Sequence, residues 1–282
     1  MTNSERYLDS SFKASKSLTK TYSTSFSMGI FYLGKDIRNA IYAIYGFVRV
    51  ADEIVDTFFE IDQSDKLDRF HQSTIESIKN SYSSNLILHA FQHVVNKYSI
   101  KIDLIESFIS SMKTDLTEKS YDRESYEEYI YGSAEVVGLM CLHVFLNGDE
   151  KKYNELEHYA KKLGSAFQKV NFIRDFHEDY ELKGRTYFPE LEMDRTFDES
   201  SKKQIEMDIE KDFDEAIKGI TKLPRSCCLG VYLAYSYYKK LLNKIKSTPA
   251  SKILITRIRV NNFQKFLLLP SALLFSLFLR KI

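Results

Sequence analysis

The stretch 163–189, LGSAFQKVNFIRDFHEDYELKGRTYFP, limits what this chain can fold into more than any other. Asn171, Asp175 and Asp179 stand there at i, i+4 and i+8, which on an α-helix is one slowly drifting stripe on a single face. Like charges at that spacing repel, and they cost the helix stability if nothing lies between them. A divalent cation removes the penalty, and a hard one such as Mg²⁺ takes carboxylate and amide oxygens as ligands. The stretch therefore predicts a helix whose acidic face is turned toward something positive.

A lone carboxylate pair of this kind is common on solvated helices, but this one has company. Arg174 and Arg185 lie nearby, and Gln168 precedes Asn171 by about one turn. Cations beside metal-binding carboxylates make sense when the ligand is itself an anion, since Mg²⁺ usually binds through one or two carboxylates plus substrate phosphates and arginine forks match phosphate oxygens. Upstream, in 42–56 (YAIYGFVRVADEIVD), Asp52 and Asp56 repeat the i, i+4 spacing, with Arg49 one turn before Asp52. Two acidic faces, each carrying an arginine, predict a magnesium–diphosphate site between helices.

These residues are similar to those of the squalene/phytoene synthase family. Leu163-Gly164, Gln168, Asn171, Arg174-Asp175, Glu178-Asp179, Gly184-Arg185, Tyr187 and Pro189 look like its second aspartate-rich motif, and Arg49, Asp52, Glu53 and Asp56 look like its first. The resemblance covers nearly the whole chain. It implies an all-α, single-domain bundle of roughly ten helices around a central cavity. It also implies Mg²⁺, or Mn²⁺ as an alternative hard cation, held by Asp52, Asp56, Asn171, Asp175 and Asp179.

Composition supports the helical reading. Gly (10) and Pro (4) are scarce in 282 residues, which removes the turn chemistry of an all-β protein, and 44% hydrophobic residues suffice for a sizeable core. A net charge of +1 gives nucleic acid no electrostatic support. Cys141, Cys227 and Cys228 show no metal-binding spacing and no disulfide framework. With a polar N-terminus lacking the apolar run of a signal peptide, a cytoplasmic setting is expected.

Taken in order, residues from about 4 to 20 read as an amphipathic helix with Tyr7, Phe12 and Leu18 as its apolar contributors. The hydroxyl-rich segment 21–27 reads as a cap or a loop. The resemblance makes Ser23 and Ser25 candidates for diphosphate contact, although Tyr22 stands where many relatives carry His. A helix from Asp36 buries Ile37, Ile41, Ile44, Phe47 and Val48 and leaves its carboxylates facing a cleft. Tyr45 matches a substrate-facing family tyrosine, or is simply a core aromatic. From 62 to 120 the pattern is helical scaffold with no visible chemistry, its apolar clusters being Leu86–Leu88 with Phe91, Val94 and Val95, and Ile105 with Phe108 and Ile109.

In 126–145 the small residues Gly132, Ser133, Ala134 and Gly138 let either a neighbouring helix or an isoprenoid chain come close, and Glu135 and Val136 replace the Gly-Thr of relatives. His143 reads as a packing residue. Residues 189–198 read as an acidic loop and 200–218 as a solvated helix face. Tyr238 and Arg257 look like the family's late tyrosine and arginine near the diphosphates. The apolar stretch 266–279, interrupted by Pro270 and followed by Arg280-Lys281, is too short to span a bilayer. It is either a helix packed on the core or an interfacial anchor.

The resemblance implies head-to-head condensation of two geranylgeranyl diphosphates to phytoene, through a cyclopropylcarbinyl diphosphate. In this reading Asp52, Asp56, Asp175, Asp179, Tyr45 and Tyr238 are the catalytic residues, and Ser23, Ser25, Arg49, Gln168, Asn171, Arg174 and Arg257 bind diphosphate. NADPH is not expected. The alternatives are a dehydrosqualene or squalene synthase using two farnesyl diphosphates, and a non-catalytic assembly or lipid-binding relative.

Overall fold

The computed structural model describes residues 1–182, 184, 186–189, 197–261, 264, 265 and 267–278. Arg185, residues 190–196 of the expected acidic loop, Arg280 and Lys281 lie outside them. Among the described residues every regular element is helical, as the resemblance implied, and pairing between extended segments is limited to one isolated parallel bridge, Ser120 with Thr186.

The chain opens with α1 (Asn3–Tyr22), α2 (Thr24–Phe31) and α3 (Lys35–Asp56), and continues through α4 (Gln63–Asn80), α5 (Leu86–Tyr98) and α6 (Ile102–Thr117). α7 (Arg123–Ile130) passes through a π turn (Tyr131–Glu135) into α8 (Val136–Leu146). The long α9 (Glu150–His177) ends in a second π turn (Glu178–Leu182). α10 (Glu199–Ile220), α11 (Arg225–Lys246), the short α12 (Ala250–Ile253) and α13 (Leu268–Phe278) complete it. Side-chain caps explain most starts: Thr2 and Glu5 form a capping box on α1, and Ser23, Asp62, Asn85, Asp122, Asp149 and Asp198 each accept from a first-turn amide.

α1 buries a different face from the one its large residues suggest. Ser11, Ser15 and Thr19 are fully buried, and each hydroxyl donates to the carbonyl one turn earlier, Tyr7, Ser11 and Ser15 respectively. A hydroxyl satisfied within its own helix can face a neighbour without an unpaired donor, and its small size lets α3 approach at Gly46, whose Cβ would come within 3.2 Å of Ser15. Of the expected apolar contributors, Phe12 packs against the core from a partly buried position.

α3 lies at the centre of the first core cluster. Phe47 is fully buried and stacks on Phe91 of α5 with ring centroids 4.0 Å apart, beside Phe70 and Phe108. Its neighbours Ile41 and Ile44 are also buried, so this face fixes the rotation of α3 and with it the direction of Asp52 and Asp56. A second cluster joins α9, α10 and α11 around Phe172, Ile173, Phe213 and Leu241.

Pro270 does not interrupt the C-terminal helix. It stands in the first turn of α13, where its missing N–H would have no helical partner anyway. α13 packs on α11 through Phe275, whose ring stacks on Tyr232 at 3.7 Å, while Leu267, Leu273 and Leu274 remain exposed. Arg123–Leu146 is the one described helix long and apolar enough to cross a membrane, and 56% of its most apolar window is buried inside the protein.

Phe47→Ala removes a ring from the stack that orients α3. It should lower the unfolding free energy by about 3–5 kcal/mol, read from urea denaturation followed by circular dichroism.

Candidate active site

The two acidic pairs open onto the same hollow. A cavity of about 590 Å³ is lined by Asp52 and Asp56 near the end of α3 and by Asp175, Glu178 and Asp179 around the end of α9. Arg49, Arg174 and Arg257 line it too, as do Gln168, Asn171 and Tyr45. The remaining wall is mostly apolar, with Phe26, Val48, Phe108, Val137, Leu163 and Phe167 among its members.

Asp179 reaches this wall by a route the simple spacing does not predict. The α-helix ends at His177, and Asp179 belongs to the π turn that follows. A π turn has more residues per turn, so the step from 175 to 179 rotates less than it would in an α-helix. This offsets the drift of the i, i+4, i+8 stripe.

Arginines answer the carboxylates. Arg49 donates to Asp52 at 2.6 Å and also pairs with Glu53. Asp175 receives two guanidinium groups: Arg174 pairs with both its oxygens, with Nε 2.8 Å from Oδ1, and Arg257 Nε lies 2.7 Å from Oδ1. Arg257 reaches Glu178 as well, at 3.3 Å. Burial works against the charge on Arg49 and Arg174. The adjacent carboxylates outweigh it, so both arginines hold their protons more tightly than usual.

The donor chemistry fits a hard cation. Five oxygen-bearing side chains, Asp52, Asp56, Asn171, Asp175 and Asp179, line one cavity. Among the described residues no three acidic, histidine or cysteine side chains gather closely enough to hold a metal by themselves. A diphosphate would supply the missing metal ligands.

The remaining expected residues separate into wall and support. Tyr45 faces the cavity, and burial raises its phenol pKa. Tyr238 lies behind the wall: it is 3% exposed, stacks on Phe167 at 4.0 Å, and donates to Asn171 Oδ1 at 3.3 Å. Burial pushes its phenol pKa up to about 12, which keeps it a donor. Ser23 and Ser25 are not among the lining residues, and the Ser23 hydroxyl caps α2 by accepting from Phe26 N at 3.1 Å.

The small residues after Tyr126 let a neighbouring helix come close and also line the cavity. Gly164 of α9 leaves no room for a side chain, because a Cβ there would come within 2.6 Å of the Ala134 carbonyl. Ser133, Ala134 and Gly138 also line the cavity. Glu135 is not a lining residue. It sits among Lys161, Lys162, Lys169 and Asp212, and burial raises its pKa. His143 packs against Tyr153 as expected, but it is not the satisfied residue anticipated, since its buried Nε2 has no hydrogen-bond partner among the described residues.

Sequence reasoning missed three participants. The scaffold 62–120 contributes Phe108, Met112 and Asp115 to the cavity. Asp115, 6% exposed, accepts from Tyr129 at 2.5 Å, Tyr187 at 3.3 Å and Tyr121 at 3.4 Å. A carboxylate continuing the inward face of Ile105, Phe108 and Met112 was the available signal. Lys265 donates to Thr24 at 2.8 Å, and burial together with the charge of Arg174 lowers its pKa. Tyr22 lies under the Arg49 guanidinium, 4.3 Å from ring centroid to Cζ. No sequence pattern signals the last two, because both contacts join distant segments.

Known proteins with this pattern agree with the geometry. A family model described as squalene/phytoene synthase matches residues 19–264. Phytoene synthase 2 of Solanum lycopersicum is 30% identical over 272 residues, covering 89% of this chain and 86% of its own length. Phytoene synthase 1 of the same plant is 29% identical, and the chain spans 65% of its length. The 4,4'-diapophytoene synthase of Staphylococcus haemolyticus is 26% identical, with 71% of this chain and 70% of that one aligned. In fold, the chain superposes on a solved dehydrosqualene synthase with a TM-score of 0.84 at 21% identity, over 96% of this chain and 98% of the other. The match over most of its length, joined to two acidic pairs on one cavity, shows that the chain belongs to the squalene/phytoene synthase family, a family of prenyltransferases.

Proposed function

We propose that this chain, folded as one domain, condenses two geranylgeranyl diphosphates head to head to give phytoene through a cyclopropylcarbinyl diphosphate. One observation carries the reading: five aspartates, a glutamate and three arginines line a cavity whose wall is otherwise largely apolar. Such an arrangement suits a ligand with an anionic head and a hydrocarbon tail.

Asp52, Asp56, Asn171, Asp175 and Asp179 are the residues that would hold Mg²⁺. Bound there, the metal neutralises charge on the departing diphosphate as a Lewis acid. Arg49, Arg174 and Arg257 supply fixed positive charge beside the same group. As the diphosphate arrives they exchange carboxylate partners for phosphate oxygens, which frees Asp52 and Asp175 to act as ligands. Tyr238 holds the Asn171 amide with Oδ1 on a known side, and that oxygen keeps a second lone pair. Phe26, Val48, Leu163 and Phe167 keep water from a carbocation it would capture. Tyr45, on the same wall, offers a neutral hydroxyl near the reacting end.

The relatives favour the C20 substrate: the phytoene synthases of Solanum lycopersicum are 29% and 30% identical to this chain over 89% of it, against 26% over 71% for the 4,4'-diapophytoene synthase.

A hydrocarbon product cannot leave through water, and α13 exposes Leu273 and Leu274, with Leu267 exposed just before it. These leucines are read as resting on a bilayer. Purified protein should co-sediment with phosphatidylcholine–phosphatidylglycerol vesicles, and Leu273→Ser with Leu274→Ser should reduce the bound fraction. Failure of the vesicles to recruit any protein would sink this contact.

Because arginines occupy the carboxylates, Mg²⁺ should bind weakly alone and at least about tenfold more tightly with inorganic pyrophosphate present, by titration calorimetry. Equal affinity in both conditions would contradict the shared site. Asp52→Ala and Asp175→Ala should each lower turnover at least about 100-fold with helicity unchanged. Product identification decides the reaction: purified protein, Mg²⁺ and C15 or C20 diphosphate, with and without NADPH. Phytoene from the C20 substrate without NADPH is expected. Dehydrosqualene or squalene would replace the C20 reading, and no hydrocarbon from any mixture would leave a binding protein.

A further inference from the structure

We propose that Tyr159, wedged against Gly219 and covered on its outer side by the Glu155–Lys222 ion pair, is the distal stop of the cavity and sets the longest prenyl chain accepted. This rests on the reading of the cavity as a prenyl-chain site. The stripe of α9 that lines the cavity begins at Leu156, with Tyr159 one turn later and about four and a half turns before Asp175. At that end the wall is apolar, with Phe145, Leu156, Ile220 and Leu223 beside the tyrosine ring. The loop joining α8 to α9 is three residues long, which returns α9 antiparallel to α8 and brings Phe145 to the start of α9.

Tyr159 is partly exposed, so the ring stands between the hollow and solvent. Its seat is tight. A Cβ on Gly219 would lie 2.2 Å from the Tyr159 Cβ, so the glycine is what lets the ring occupy this position against α10. On the other side Lys222 Nζ lies 5.1 Å from the ring centroid and pairs with Glu155 at 3.0 Å, a strap from the end of α10 to α9. An apolar chain growing down the cavity meets the ring face, and beyond it only the half-exposed ion pair and solvent, where further chain gains no burial.

The test measures turnover of wild-type protein with Mg²⁺ and C10, C15, C20 and C25 prenyl diphosphates, beside Tyr159→Ala, Tyr159→Leu and Tyr159→Phe. The wild type should show a sharp cut-off. Tyr159→Ala and Tyr159→Leu should move it up by one five-carbon unit, with the next longer substrate gaining at least about tenfold relative to the best one. Tyr159→Phe, which keeps the ring, should keep the wild-type cut-off. Should Tyr159→Ala fail to fold, Tyr159→Leu makes the same comparison while retaining an apolar seat. An unchanged cut-off in an active, folded variant overturns the proposal, as does a wild type that takes C25 as readily as any shorter chain. A wild type inactive with all four would overturn the prenyl-chain reading itself.

Discussion

The repulsion among carboxylates on one cavity wall is the constraint to which the rest of this structure answers. Asp52, Asp56, Asp175, Glu178 and Asp179 line one cavity, where like charges held at close quarters repel. Arg49 divides its charge between Asp52 and Glu53, and Asp175 takes Arg174 and Arg257 together. These pairs are arranged as a provisional neutralisation. They lie where an anionic ligand and its cations can take over either partner.

Holding such a wall requires rigid backing, and the helices provide it in two ways. Phe47 and its stacked neighbours fix the rotation of α3. Small residues bring other helices close enough to transmit that rigidity: Gly164 lies against the Ala134 carbonyl, and the hydroxyl face of α1 lies against Gly46. Between α9 and α10 a buried network adds to this, with Lys169 bonded to Asp208 and Asp212 and Ser165 donating to Asp212 at 2.7 Å. Burial alone would raise the Asp212 pKa, but Lys169 and its other donors outweigh that and hold it below the ordinary carboxylate value.

Much of this was legible in the sequence because it rests on local spacing. The carboxylate pairs, the arginine one turn before Asp52 and the Ile41–Ile44–Phe47 face are all set by positions within a single helix, and the structure places them together as their period requires. What escaped depends on contacts between distant segments or on departures from the ideal helix. Asp115 becomes notable only when Tyr121, Tyr129 and Tyr187 converge on it. Lys265 reaches Thr24 across most of the chain. The α1 face misled because three hydroxyls look solvent-facing until their i−4 carbonyls satisfy them. Tyr238, expected from the resemblance beside the diphosphates, lies behind the cavity wall as a donor to Asn171 rather than as part of it.

The two π turns, 131–135 and 178–182, carry a consequence for how this chain can vary in length. A π turn is an α-helix holding one surplus residue. Deleting Glu178 would regularise the helix and strengthen its ladder locally. It would also swing Asp179 by about 100°, carrying it off the stripe it shares with Asn171 and Asp175. The irregular hydrogen bonding is thus a phase adjustment, and the segment is closed to the one-residue insertions and deletions that exposed helix ends ordinarily absorb.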